Sequence, residues 1–317
     1  MRIARVCQHA MQAALVCGAM AARATDAIPP TESTQWSFEA GIGHESQSSP
    51  LFQISPQSTV IYIDGLQRLK GAHARASVQG SSNWTLAHGV GLSLNASALV
   101  KRSRETPDFD FSSASLQPGL HVPIPGASLG VGLNLQTMDV AGRHFRHSQG
   151  IQFSWTRAQP SGLWAVMADV TEQRHAPALA DLDATSSTVV LQRHWNNPSA
   201  LISGVDLSAI VGREKNRRGI AELSNSSVMF HAAMQWQWLG AKWSLGQAFR
   251  RAHFDGVAFE GEVPRQDQTR MLDIGVELPV GPEQTLRLEF NDVRNVSSTR
   301  LYANHYQQWL MALRTSW

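Results

Sequence analysis

From Trp36 onward, apolar and polar residues alternate with a period of two. Leu286, Leu288 and Phe290 alternate with Thr285, Arg287, Glu289 and Asn291, and before them Leu272, Ile274, Val276 and Leu278 alternate with Asp273, Gly275 and Glu277. Val228, Phe230, Ala232, Met234, Trp236 and Trp238 follow the same rule around His231, Gln235 and Gln237. Successive side chains of a strand point to opposite faces, so each run predicts a strand with one apolar and one polar face. That pattern fits a soluble sandwich, whose apolar faces pack inward. It fits equally an outer-membrane barrel, whose apolar face meets lipid while the polar face lines a wet lumen.

Connections separate the two. Short ones are GSSNW (80–84), PIPG (123–126), QPSG (159–162), NNPS (196–199), LGAK (239–242) and PVGPEQ (279–284). Longer polar stretches lie between them, at 46–66, 103–109, 139–145, 174–183, 214–222, 254–266 and 296–304. Six tight turns alternating with seven long loops predict fourteen strands with both chain ends on the tight-turn side. Short periplasmic turns and long outer loops in up-and-down order belong to transmembrane barrels. Tryptophan agrees: of the 10 in the chain, Trp36, Trp84, Trp164, Trp195, Trp238, Trp243 and Trp317 fall at chain ends or beside predicted tight turns. Indole prefers the headgroup layer, so these residues predict a periplasmic aromatic girdle. The expected fold is an all-β, transmembrane antiparallel up-and-down barrel of outer-membrane type.

The chain ends sharpen this reading. Arg2 and Arg5 precede a small apolar stretch from Ala10 to Ala22, and Ala22-Arg23-Ala24 offers a cleavage site. Residues 1–24 are thus expected to be an export signal, 25–34 a periplasmic lead-in and 35–317 the barrel. Both cysteines, Cys7 and Cys17, fall in the signal, so the mature chain is expected to form no disulfide. Removing Arg2, Arg5 and Arg23 leaves 24 basic residues against 25 acidic ones, which offers nucleic acid no basic partner. No later segment reaches 18 uncharged apolar residues, so no transmembrane helix is predicted. The final strand, Gln307 to Trp317, ends in an aromatic residue and resembles the sorting signal read by the barrel assembly machinery. The expected location is the outer membrane of a Gram-negative bacterium, with outer-membrane lipid as the surrounding partner.

Polar-face positions supply the candidate chemistry. Arg287, Glu289, Asn291, Asp273, Glu277, Asp206 and His231 are expected to line the lumen and set its selectivity. His44 and Ser46, in GHESQSSP (43–50), resemble the His-x-Ser pair of outer-membrane phospholipase A, but the segment lacks that enzyme's following glycine. His147 and Ser148 are adjacent and so point to opposite faces, which cannot bring a base to a nucleophile. The 12 histidines show no H-x-H or H-x-x-x-H pair on one strand face, so no metal is expected, nor any other cofactor. No enzymatic activity is expected.

A longer resemblance covers more of the chain. GHESQSS (43–49) resembles the G-Y-D-S-N-x-N motif that opens the barrel of the surface lipoprotein assembly modifier (Slam) family, with Gly43, Glu45 and Ser46 at matching places. FRRAHF (249–254), Pro264 and Arg265 with Asp267, and NDVRNVSSTRLY (291–302) resemble its later R-x-D and N-x-S-N-x-x-x-Y patterns. Gln47 and Ser298 stand where the family has asparagine, and no counterpart is expected of the helical-repeat domain that precedes the barrel in typical members. The resemblance implies a conduit or assembly factor for an exported surface protein or lipoprotein; a small-solute porin is the alternative, and an outer-membrane lipid hydrolase comes last. In this reading Gly43, Glu45 and Ser46 mark the exit of the first strand into the first outer loop, with Glu45 and Ser46 bonding turn amides.

Overall fold

A computed structural model describes residues 33–54, 60–105, 107, 110–197, 199, 201–257 and 263–317. The expected signal and most of the lead-in lie outside the described residues. Fourteen strands form one antiparallel sheet: β1 (Ser33–Ile54), β2 (Val60–Thr85), β3 (Gly91–Ser103), β4 (Phe111–Ile124), β5 (Ala127–Val140), β6 (Arg143–Gln159) and β7 (Gly162–His175) make the first half. The second half comprises β8 (Ala184–Asn196), β9 (Ile202–Asn216), β10 (Asn225–Trp238), β11 (Ala241–Phe254), β12 (Gln266–Pro279), β13 (Gln284–Ser297) and β14 (Asn304–Ser316). Each strand pairs with its neighbours in sequence, and β14 pairs with β1 to close the barrel. At the seam, Trp36 and Trp317 exchange two backbone hydrogen bonds of 2.9 Å.

Which face is apolar decides the solvent. Ile42, Phe153 and Phe230 point outward and are 62%, 60% and 59% exposed, and Leu133, Val189, Val211, Leu288 and Met311 are exposed beside them. The alternate positions point inward and hold most of the charge. A soluble sandwich would bury the first set. A closed sheet with a continuous apolar exterior satisfies its own backbone and needs hydrocarbon around it, so the protein is an outer-membrane β-barrel. No helix among the described residues is long and apolar enough to cross a membrane, which says nothing of the strands.

Most turns fall where the sequence places them. Leu239 and Gly240 form a two-residue turn with φ of 53° and 75°. Positive φ at both central residues matches the right-handed twist of the flanking strands, and glycine adopts it without steric cost. Three boundaries differ from expectation. The predicted loop 46–66 is largely strand, because β1 continues to Ile54 and pairs with β2 from Val60. Polar composition and Pro50 suggest a loop there; hairpin pairing with β2 overrides them. The stretch GSSNW (80–84) carries turn-forming residues, yet it lies within β2 between β1 and β3, and the turn comes later, around Ala87–Gly89. The expected loop 139–145 contracts to Ala141 and Gly142, with the extra residue absorbed as a bulge where β5 meets β6.

Candidate functional site: the inner wall

The charged part of the inner wall crosses the barrel seam. Antiparallel register sets Glu277 opposite Arg287, and Glu39 opposite Arg314. Arg287 pairs with Glu39 and Glu289 and lies 3.3 Å from Glu277. Arg314 reaches Glu39 at 3.3 Å and Glu277 at 3.1 Å, while Arg75 reaches Glu39 at 3.7 Å and Glu289 at 3.9 Å. Lys242 on β11 adds a fourth cation, 4.0 Å from Glu277, so three guanidinium groups and one ammonium face three carboxylates on β1, β2 and β11 to β14. The result is a wall dense in paired charge, with a small positive excess.

Glu45 corrects the expectation for the opening motif. It is not in a turn and bonds no turn amide. It points inward from β1, buried, with Lys101 Nζ at 2.7 Å and the Tyr306 hydroxyl donating to it at 3.0 Å. His73 Nδ1 stands 3.9 Å away, and the other ring nitrogen contacts Gln308 at 3.1 Å. Gly43 lets this packing form: a Cβ there would come within 2.2 Å of the Trp309 carbonyl and 2.6 Å of the His73 ring. Ser46 occupies the other face, opposite Lys70 and Gln307. The motif fails as a loop because β1 runs on past it.

Above the charged seam the inner wall becomes apolar. Met167, Val190, Ile210 and Met229 are successive cross-strand partners on β7 to β10. Ala248, Met271, Val293 and Tyr306 continue the band on β11 to β14. The first seven are buried and pack as one cluster, with Tyr306 against it. Sequence reading missed this band, although Met271 beside Leu272 and Val293 two positions after Asn291 break the polar alternation and could have revealed it.

The remaining predicted lumen residues share the inner face. Asp273 and Asn291 are direct partners, His231 lies opposite Ser208 and Ala248, and Asp206 accepts a hydrogen bond from His194 Nδ1 at 2.8 Å. The other nitrogen of His194 contacts Asn196 at 2.6 Å, so both ring positions are engaged by polar neighbours other than a nucleophile. Ser93 and His121 meet at 3.0 Å across β3 and β4. Among the described residues no carboxylate orients that imidazole, and a nucleophile–base pair needs such a third group. Among the described residues no group of three His, Cys, Asp or Glu side chains is placed to hold a metal ion.

At the outer ends of the strands, Arg265 is buried with its guanidinium 3.4 Å from the Phe254 ring centre and 3.7 Å from that of Tyr302. Asp267 lies 3.5 Å away, and Asn295 donates to the Tyr302 carbonyl at 2.8 Å. Burial lowers the Arg265 pKa, against the pull of Asp267.

No family model matches this chain, and no curated protein does. Among solved structures it is similar to OccK9 (OpdG) of Pseudomonas aeruginosa, at 9% identity and a TM-score of 0.47, over 90% of this chain and 99% of that one. It is also similar to OccAB1 of Acinetobacter baumannii, at 8% identity and a TM-score of 0.48, over 93% and 99% of the two chains. A loop L8 deletion of OmpT, an outer membrane protein of Vibrio cholerae, gives 8% identity and 0.46, over 91% and 100%. Identities and scores this low assign neither a family nor a solute.

Proposed function

We propose that this barrel is a porin for small polar solutes. The observation that carries the reading is the charge-paired wall of Glu39, Arg75, Lys242, Glu277, Arg287, Glu289 and Arg314. Opposite charges held side by side on an inner wall create a strong local field with little net charge. Such a wall favours solutes that carry both signs, or dipoles, over simple ions. Six positions further along β12 and β13, Met271 and Val293 present the apolar band, which excludes strongly hydrated ions from that side. Purified protein in a planar bilayer is expected to form steady channels with little preference between potassium and chloride, and to let zwitterionic amino acids swell loaded liposomes. Absence of conductance and of swelling from folded, heat-modifiable protein would overturn the reading.

A second reading, a Slam-like export conduit, draws on the Arg265 cluster. Residues that carry the family resemblance, Arg265, Asp267, Asn295 and Tyr302, meet at the outer ends of β12 and β13 although they are dispersed in sequence. Protease shaving of cells that co-express the barrel with a surface lipoprotein encoded beside it tests this. Display independent of the barrel would dispose of it.

A further inference from the structure

The outer face carries arginines where the apolar belt ends. Arg270 on β12 and Arg294 on β13 are direct cross-strand partners, both exposed. Arg251 on β11 faces Gln268, two positions from Arg270, and is exposed too. Directly opposed like charges are destabilising on a sheet unless an anion lies between them. Among the described residues, neither Arg270 nor Arg294 has an ion pair. Among the described residues the nearby outward carboxylate, Asp292, is engaged by His305 at 2.6 Å and Gln307 at 2.7 Å.

The position of the patch says what anion fits. Phe249 stands directly opposite Arg270, and Leu272 and Ile274 continue below it on β12, all facing the membrane. The guanidinium groups therefore sit at the top of the acyl layer on the long-loop side. The amphiphile of that leaflet with phosphates at that depth and acyl chains beneath is the lipid A moiety of lipopolysaccharide. We propose that Arg270 and Arg294, assisted by Arg251, form a binding site for a lipid A phosphate, with acyl chains lying along Phe249, Leu272 and Ile274. Guanidinium groups bind phosphate through paired charge-assisted hydrogen bonds, and two of them facing each other can clamp one phosphate. The ligand removes the repulsion that the bare pair would otherwise retain.

The experiment uses refolded full-length protein in detergent and titrates bis-phosphorylated lipid A, monophosphoryl lipid A and phosphatidylglycerol separately, following binding by native mass spectrometry and unfolding by heat-modifiability. Wild type is expected to bind bis-phosphorylated lipid A saturably and to unfold at higher temperature with it. In Arg270→Gln binding is expected to weaken about tenfold, corresponding to roughly 1.4 kcal/mol. Without lipid the sign reverses: Arg270→Gln unfolds at a higher temperature than wild type, because the opposed pair is gone. Arg294→Gln should repeat both effects, which guards against one variant folding poorly. Equal binding of phosphatidylglycerol, unchanged binding in both variants, or lower lipid-free stability in both would overturn the proposal.

Discussion

On the outer face, near the tight-turn end, Arg193 lies 5.1 Å from the ring centres of both Trp164 and Trp195 and donates to the Ser161 hydroxyl at 2.9 Å. On the inner face, Arg287 sits among Glu39, Glu277 and Glu289. Both guanidinium groups are largely withdrawn from water, but they are stabilised by different means. Facing lipid, a carboxylate partner would itself have to be desolvated, and two indole faces supply electron density without that penalty. Facing the lumen, carboxylates remain partly hydrated and can pair with several arginines at once. The barrel wall thus separates two solvents, and each side accommodates the same residue by the chemistry its solvent permits.

The largest expected effect comes from placing an arginine where neither means is present. Leu133 and Gln136 lie three positions apart on β5, the first facing lipid and the second the lumen. Leu133→Arg should reduce folding stability by roughly 2 to 4 kcal/mol near mid-bilayer, while Gln136→Arg should change it little. Urea titration in lipid vesicles measures both. Equal losses would erase the distinction between the faces.

Removing the lumen arginine comes next. Arg287→Ala leaves Glu39, Glu277 and Glu289 facing one another with Arg75, Arg314 and the more exposed Lys242 to balance them. The loss is expected to be about 2 kcal/mol, below the usual range for a broken buried pair because the group is partly hydrated. Channel current should shift toward cations in the same variant, since the wall loses one positive charge. Unchanged selectivity would detach this cluster from the conducting path.

Arg193→Ala should cost about 1 to 2 kcal/mol, from two aromatic contacts of roughly 0.5 to 1 kcal/mol each. Arg193→Lys keeps the charge but loses the planar stack, and is expected to fall between. If lysine restores full stability, charge alone explains the site.

The smallest effect belongs to an exposed pair. Arg213 hydrogen-bonds Asp255, beyond the end of β11, and that bond holds the Asp255 pKa below the ordinary carboxylate range. A depressed carboxylate contributes stability above its unfolded pKa and loses it as pH falls through the lower folded value. Asp255→Asn should therefore differ slightly from wild type at pH 7 and match it in stronger acid. A difference that persists in acid would point to packing instead.

Much of this architecture is local and was legible without the structure. Alternation in segments such as Thr285 to Asn291 determines both that a strand forms and which side meets lipid, because side-chain direction follows from the backbone period alone. Tight turns such as Leu239–Gly240 and the tryptophans beside them give strand number and orientation for similar reasons. Tertiary structure decided what depends on distant partners. Residues 46–54, rich in serine and glutamine, read as loop, yet pairing with β2 satisfies their backbone groups and extends β1. Glu45 became a buried inner residue only because Lys101 and Tyr306 arrive from β3 and β14. Closure alone brings Glu39 to Arg287, 248 positions away in sequence. Period two states which face a charge occupies; only the closed barrel and its register state which opposite charge it meets.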